Sequence, residues 1–597
     1  MPQIQTKTMK KNFLIGCIAA GLAIAGCSGN KMGSTASTDA DFEAYKGRFV
    51  EKMWETNPSA AIYAGFHKYD SLLLIPDAAA RAATDQQYHA MLDSLAKFDE
   101  NKLSQSNKTD LWMMRDYLKS NIWYDTAFKS FEWNPASFNV AGEFAEILNG
   151  NYDKLDARLA MFDKRLVNVK AYYAAAKSQI TQPTIEHTDL AIMQHEGSVE
   201  EVFGKSLADS VAASGLSADT KKHLLAYADS AKSAMLDYAA WLKEKRKTMT
   251  PENSRSFRIG KELYDKKFDF DIASGYTAES IYEKAVNRKA ELHHEMANLS
   301  RQLWPKYFGK APMPADSLQL IRQMIDKLSL KHVNRDSFLQ SIEAQIPTLV
   351  KFINDKNLIY IDPSKPLVVR KTPAYMEGSG AGASISAPGP YDKGGNTYYN
   401  VSPLTGYSPE EAESYLREYN YYILQILNIH EAIPGHYTQL VYSNNSPSII
   451  KSLMGNGAMV EGWAVYSERM MLESGYGNNE PEMWLMYYKW HLRSVCNTIL
   501  DYSVHVNNMS EQDAMKLLVD GAFQQQAEAA GKWRRVKLSQ VQLTSYFTGF
   551  SEIYDLREDI KKSDPNFDLK KFHEKFLSYG SAPVKYIRQL MMEEKKK

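Results

Sequence analysis

Residues 421–439 read Tyr-Tyr-Ile-Leu-Gln-Ile-Leu-Asn-Ile-His-Glu-Ala-Ile-Pro-Gly-His-Tyr-Thr-Gln. An apolar run ends in His430 and Glu431, a Pro-Gly pair follows, and His436 comes directly after it. A His-Glu pair with a second His close behind is the core of a zinc-hydrolase helix: two imidazoles bind the metal and the carboxylate activates the attacking water. The regular spacing is His-Glu-x-x-His, because positions i and i+4 differ by only about 40° around a helix. Here the second His is at i+6, about 240° around, so a straight helix would aim the rings apart. Pro434 and Gly435 supply the remedy: proline interrupts the ladder and glycine accepts unusual dihedrals, so two residues can loop out. His436 then falls where i+4 normally lies. A His-Glu pair alone is common on solvated helix faces, and His294-Glu295-Met296-Ala297-Asn298, with no second His in register, reads as one of those.

A third ligand separates the two cases. Glu461 stands 25 residues beyond His436, in Asn456-Gly-Ala-Met-Val-Glu461-Gly-Trp-Ala-Val-Tyr-Ser-Glu468. The run Glu461-Gly462-Trp463-Ala464-Val465-Tyr466 resembles the Glu-Gly-aromatic-Ala-x-Tyr pattern with which gluzincin zinc peptidases supply their last protein ligand. Gly462 is expected to let two helices approach, and Glu468, about 20° from Glu461 on the same face, to hold a ligand imidazole by its free N–H. The alternative is that Glu461 and Glu468 form the polar stripe of an amphipathic helix.

The combined signature, His-Glu-x-x-Pro-Gly-His-x-x-Gln followed by Glu-Gly-Trp-Ala-x-Tyr-x-Glu, resembles the bacterial family known as domain of unknown function 885. The resemblance covers most of the chain, with softer echoes at Asn57-Pro58, Gly65 to Asp70, Arg493 to His505, Gln542 to Gly549 and Phe572 to Pro583. It implies a gluzincin-like peptidase in which His430, His436 and Glu461 hold Zn2+ and Glu431 is the general base. It also brings Asp501 and His505 to the site region, although from spacing alone this i, i+4 pair reads as a buried polar pair. Gln542 to Tyr546 is similar to a family Gln-x-x-x-Tyr pattern, so Tyr546 is expected to steady the oxyanion, with His505 or Arg493 behind it. The family has Pro-Gly before that Gln; this chain has Gln540-Val541.

Away from these motifs the chain is expected to be mainly α: a large two-lobed helical protein with a small antiparallel sheet beside a central zinc cleft, zincin-like. Apolar residues recur at three- and four-residue steps through 42–250, read as an N-terminal helical region. Helices are expected there at Phe42 to Trp54, Ala78 to Leu95, Leu111 to Trp123, Asp153 to Ile180 and Ala218 to Arg246. Residues 251–597 are read as the catalytic region. Leu358 to Asp362 and Leu367 to Arg370 read as short strands, and Ala383 to Ala387 and Asn396 to Ser402 as two edge strands. Ala383, Ser384, Tyr398 and Tyr399 are the candidate substrate contacts, since zinc peptidases add the substrate backbone to such an edge. A purely structural hairpin is the equal alternative. Ser408-Pro-Glu-Glu411 reads as the cap of the metal helix.

The N-terminus reads as an address. Lys7, Lys10 and Lys11 precede an apolar run from Phe13 to Gly26, too short to span a bilayer but right for a signal peptide over 1–26. Ala25-Gly26-Cys27 resembles a lipobox, so Cys27 is expected to carry lipid, with 27–41 as a flexible tether to the cell envelope. With Cys17 in the signal and Cys27 lipidated, Cys496 has no partner for a disulfide. A formal net charge of zero gives no footprint for nucleic acid. The partners expected are therefore a peptide substrate and a membrane reached through the lipid. The competing classes are a non-enzymatic helical binding lipoprotein and a pseudo-peptidase that keeps its metal for structure.

Overall fold

The computed structural model describes residues 38–365, 367–372, 383–391 and 396–594. The signal peptide, Cys27 and most of the tether lie outside the described residues. Side-chain caps set many of the helix starts. Asp77 accepts from Ala80 N to open Ala78–Leu95, which has the bounds expected from sequence. Ala218–Lys247 runs as the long helix anticipated, and Pro481–His505 is a further long one. Asp153 to Ile180, expected as one helix, is two, Leu155–Leu166 and Val169–Gln179. The break frees Asn168, whose Nδ2 donates to Leu73 O at 3.0 Å.

Ser408 does open a helix with a complete capping box and Pro409 at its first position. That helix, Pro409–Glu418, is a separate one. The helix of His430, Tyr421–Glu431, has its own cap in Asn420, whose Oδ1 accepts from Tyr422 N and Ile423 N.

The apolar interior forms two clusters. The smaller gathers Phe144, Phe162, Tyr173, Met235 and Tyr238 with neighbours between residues 62 and 242. The larger takes the first helix, Asp39–Thr56, and Gln105–Trp123 together with the residues from Tyr264 onward, so the chain's opening helices pack with its second half.

Three strands form one sheet in the order β1 (Leu367–Lys371), β3 (Thr397–Val401), β2 (Ala383–Ser386). β2 runs antiparallel to β3, but β1 runs parallel to it, so the sheet is mixed where an antiparallel one was expected. In sequence β2 lies between the parallel pair and runs opposite to β3, so β1 and β3 share a direction without being a hairpin. Leu358 to Asp362 forms no strand; its first carbonyl accepts from His573 Nδ1 at 2.8 Å. The sheet is tied to the metal helix through Tyr399, whose hydroxyl donates to Asn428 Oδ1 at 2.9 Å, two residues before His430.

Candidate metal centre

The helix carrying His430 stops at Glu431, and a new helix, His436–Asn444, begins at the second histidine. Between them Gly435 N donates to Ile429 O at 3.0 Å, six residues back where a helix reaches four. Two residues are therefore looped out. Only glycine fits at position 435: a Cβ there would lie 1.9 Å from His430 O and 2.3 Å from Ile429 O. The peptide bond between Ile433 and Pro434 is cis. Trp463 Nε1 donates to Pro434 O at 2.8 Å, pinning the loop to the helix of Glu461, Gly457–Glu473.

This turn brings the histidines together, with ring centroids 4.8 Å apart and planes at 90°. Glu461 Oε2 lies 3.4 Å from His436 Nε2 and 3.8 Å from His430 Nε2. One donor atom from each of the three residues falls within 4.8 Å of the others. Tetrahedral zinc with bonds of about 2 Å needs donors about 3.3 Å apart. The donor set, two imidazoles and a carboxylate, fits that ion.

The surroundings orient these donors. Glu468 Oε1 accepts from His430 Nδ1 at 2.6 Å and from Trp490 Nε1 at 3.0 Å, leaving His430 Nε2 to face Glu461. Burial works to lower the His430 imidazole, but Glu461 and Glu468 override it and raise it to about 10. Burial would raise Glu461; the two imidazoles overcome that and hold its carboxyl well below the usual carboxylate range. Glu431 and Glu468 are pushed above theirs by burial, against the pull of the imidazoles. Three carboxylates thus converge on two imidazoles, a negative excess that favours a bound cation.

The remaining candidates divide. Tyr546 is half-buried and sits where burial and the Glu461 charge raise its hydroxyl, while hydrogen bonds with Arg535 and Gln542 oppose the rise. Arg535 Nη2 donates to Gln542 Oε1 at 2.7 Å. Asp501 and His505 serve the backbone beside that group. Asp501 accepts from Val541 N at 2.8 Å, Leu543 N at 3.0 Å and the Tyr264 hydroxyl at 3.0 Å. His505 Nε2 donates to Val536 O at 2.9 Å and Ser539 O at 3.1 Å. Val541 has φ of +71°, the left-handed region that favours glycine, at the position where the resembled family carries one. Arg493 pairs with Glu418 at 3.4 Å and Glu528 at 2.5 Å and lies over the Trp490 ring at 4.4 Å. It approaches His430 through Trp490 and Glu468, and the groups found about Tyr546 are Glu461, Arg535 and Gln542, not the Arg493 or His505 expected.

At the sheet, Ala383 and Ser384 are on an edge strand next to the metal helix, as the substrate reading requires. Tyr398 is half-buried with Arg370 over its ring at 3.7 Å. Tyr399 is fully buried and corrects the expectation: it is a tether, not a substrate contact. Gly462 also has a different partner from the one expected. It meets Gly549 of the helix Ser545–Ser563, where a Cβ on Gly462 would lie 2.4 Å from Gly549 Cα. Sequence reasoning missed Trp463 and Trp490 as supports and Arg535 altogether. The tryptophans were visible beside the motif residues, but nothing in the order of residues told which backbone or carboxylate each would reach.

The chain belongs to the DUF885 family of bacterial proteins of unknown function, whose model matches residues 58–591. It is 55% identical to a candidate lipoprotein of unknown function from Shewanella oneidensis, with a TM-score of 0.86 over 93% of this chain and 100% of that one. A candidate lipoprotein from Colwellia psychrerythraea shares the fold at 15% identity, with a TM-score of 0.75 over 94% of this chain and 100% of that one. No curated protein matches the chain. Among the described residues, no helix is long and apolar enough to cross a membrane.

Proposed function

We propose that the chain is a zinc-dependent peptidase of the gluzincin type, held at the cell envelope by lipid on Cys27. The observation that carries the reading is the two-residue loop that turns His430 and His436 onto Glu461. A zinc ion held there would supply a Lewis acid that polarises the peptide carbonyl and the attacking water. Glu468 and Trp490 keep His430 in one orientation. Glu431, the neighbour of a ligand and raised by burial, takes a proton from the attacking water and passes it to the leaving amine. Tyr546 donates its hydroxyl to the oxygen on which negative charge develops. β2, an edge strand among the described residues, offers backbone groups along which a peptide lies as an added strand. The candidate-lipoprotein description of the Shewanella relative supports the envelope address.

The test is Glu431→Gln. Zinc content by mass spectrometry stays at one per chain while peptide hydrolysis falls by about 10²–10⁴. Full hydrolysis by this variant, or wild-type protein that takes up no zinc, ends the proposal.

A further inference from the structure

A cavity of about 330 Å³ opens beside the candidate metal centre, and Glu461 forms part of its wall. Apart from Asp271, its other walls are uncharged. Ser443, Ser452, Ser545 and Ser581 line it, and each hydroxyl already has a protein partner: Ser581 donates to Ser443 Oγ at 3.0 Å, Ser452 to Ser443 O at 2.9 Å and Ser545 to Gln542 O at 2.6 Å. Asp271, also at the wall, is already engaged, by Lys267 and by the Tyr124 hydroxyl at 2.6 Å. The cavity therefore offers no unspent charge, and a charged side chain entering it would lose hydration without gaining a partner.

The rim is different. Gln542 lines the cavity and is held by Arg535, which is exposed and whose guanidinium has no carboxylate partner among the described residues. Arg493 is paired with Glu418 and Glu528, and Lys532 donates to Asn497 Oδ1 at 2.8 Å, whereas Arg535 reaches the rim through Gln542. A guanidinium fork matches a carboxylate in two parallel hydrogen bonds. Neutral cavity, unpaired fork and metal-ligand carboxylate thus lie side by side.

From this geometry we infer that the site grips a peptide by its free carboxyl end: the terminal α-carboxylate on Arg535, the terminal side chain in the cavity, and the preceding peptide bond at the metal centre. The inference rests on the peptidase reading and gives it a direction. The substrates are peptides with a free C-terminus and an uncharged last residue, and the products are that amino acid and the shortened peptide. Water's oxygen bonds to the carbonyl carbon, the C–N bond breaks, and the proton taken by Glu431 leaves on the released amine.

The test measures binding, by calorimetry on the full-length Glu431→Gln chain loaded with zinc. The probes are Ala-Ala-Ser as the free acid and as its C-terminal amide. The acid is expected to bind roughly 30-fold tighter, the range of a charge-assisted hydrogen bond. Adding Arg535→Gln erases that difference, and Arg535→Lys restores part of it. Gly457 also lines the cavity, and a Cβ there meets nothing within 4 Å, so Gly457→Leu fills the space without a clash. It is expected to weaken Ala-Ala-Phe more than Ala-Ala-Ser. Equal binding of acid and amide, an acid preference that survives Arg535→Gln, or no binding of either peptide overturns the inference. An Arg535-dependent acid preference in a protein whose wild type cleaves neither peptide leaves the carboxylate site standing and sinks the peptidase reading instead.

Discussion

Two buried ionic clusters in this molecule are built on opposite plans. Asp110, fully buried, accepts from Lys46 Nζ at 2.7 Å, Lys451 Nζ at 2.8 Å and the Ser448 hydroxyl at 2.6 Å, and Lys46 reaches on to Asn107 Oδ1 at 2.8 Å. Every charge there is answered, and the cluster fastens the chain's first helices to its second half. At the candidate metal centre three carboxylates face two imidazoles beside an open cavity, and the Oε2 of buried Glu468 finds no hydrogen-bond partner among the described residues. A matched cluster is finished when the chain folds. A cluster with surplus charge on one side and space beside it is arranged for something that arrives later.

That contrast breaks most readily at Asp110. Asp110→Ala strands two buried ammonium groups and is expected to cost about 3–5 kcal/mol, read as a drop in the denaturant midpoint. A variant as stable as the parent would make the cluster ornamental. Glu552 provides a third case, a buried carboxylate that accepts from Gly275 N at 2.7 Å, forms no ion pair among the described residues, and is raised by burial to about 7 against the pull of Lys585 and Arg588. Its folded value lies above its unfolded one, so its contribution is fully present below about pH 4.5 and is lost as pH rises through 7. Glu552→Gln should therefore gain on the parent by up to about 3 kcal/mol between pH 4.5 and 8, in melts followed across that range. Parallel stability curves would remove Glu552 from the comparison. The smallest effect belongs to Glu468→Gln, which keeps the hydrogen-bond geometry to His430 and Trp490 and removes the charge. Zinc affinity, measured by chelator competition, is expected to weaken about 10- to 100-fold with the fold intact. Undiminished affinity would mean that charge beside His430 is irrelevant to the metal.

The candidate grouping of His430, His436 and Glu461 could be proposed from sequence because most of its pattern is local. His430, Glu431 and His436 share one turn, and the irregular spacing named its own repair in Pro434 and Gly435. The two His-Glu pairs illustrate the limit: His294 meets only Asn298 on its own helix, while His430 meets residues 31 and 38 positions on. Helix bounds such as Ala78–Leu95 followed from periodicity and a capping residue. Asn420 caps the helix of His430 with its side chain alone, a weaker sign in sequence than the Ser-Pro-Glu-Glu run at 408–411. What the sequence did not disclose were partnerships across long separations: Asp501 holding Val541 and Leu543, Trp463 holding Pro434, Gly462 against Gly549. Each of these residues fits many environments, and only the packed chain selects one. Strand direction was hidden for the same reason, since alternation marks a strand without fixing its neighbour.

The contact of Gly462 with Gly549 leaves no side chain between the helix that bears Glu461 and the helix that bears Tyr546. Most helix pairs are spaced by residues that mutation can enlarge or trim, so their separation drifts as lineages diverge. Here the spacer is bare main chain, and its thickness has no variants. The spacing between the helix of Glu461 and the helix of Tyr546 is thus set at this point by main chain alone, and under the proposed function any tuning of what is accepted would fall to the cavity rim.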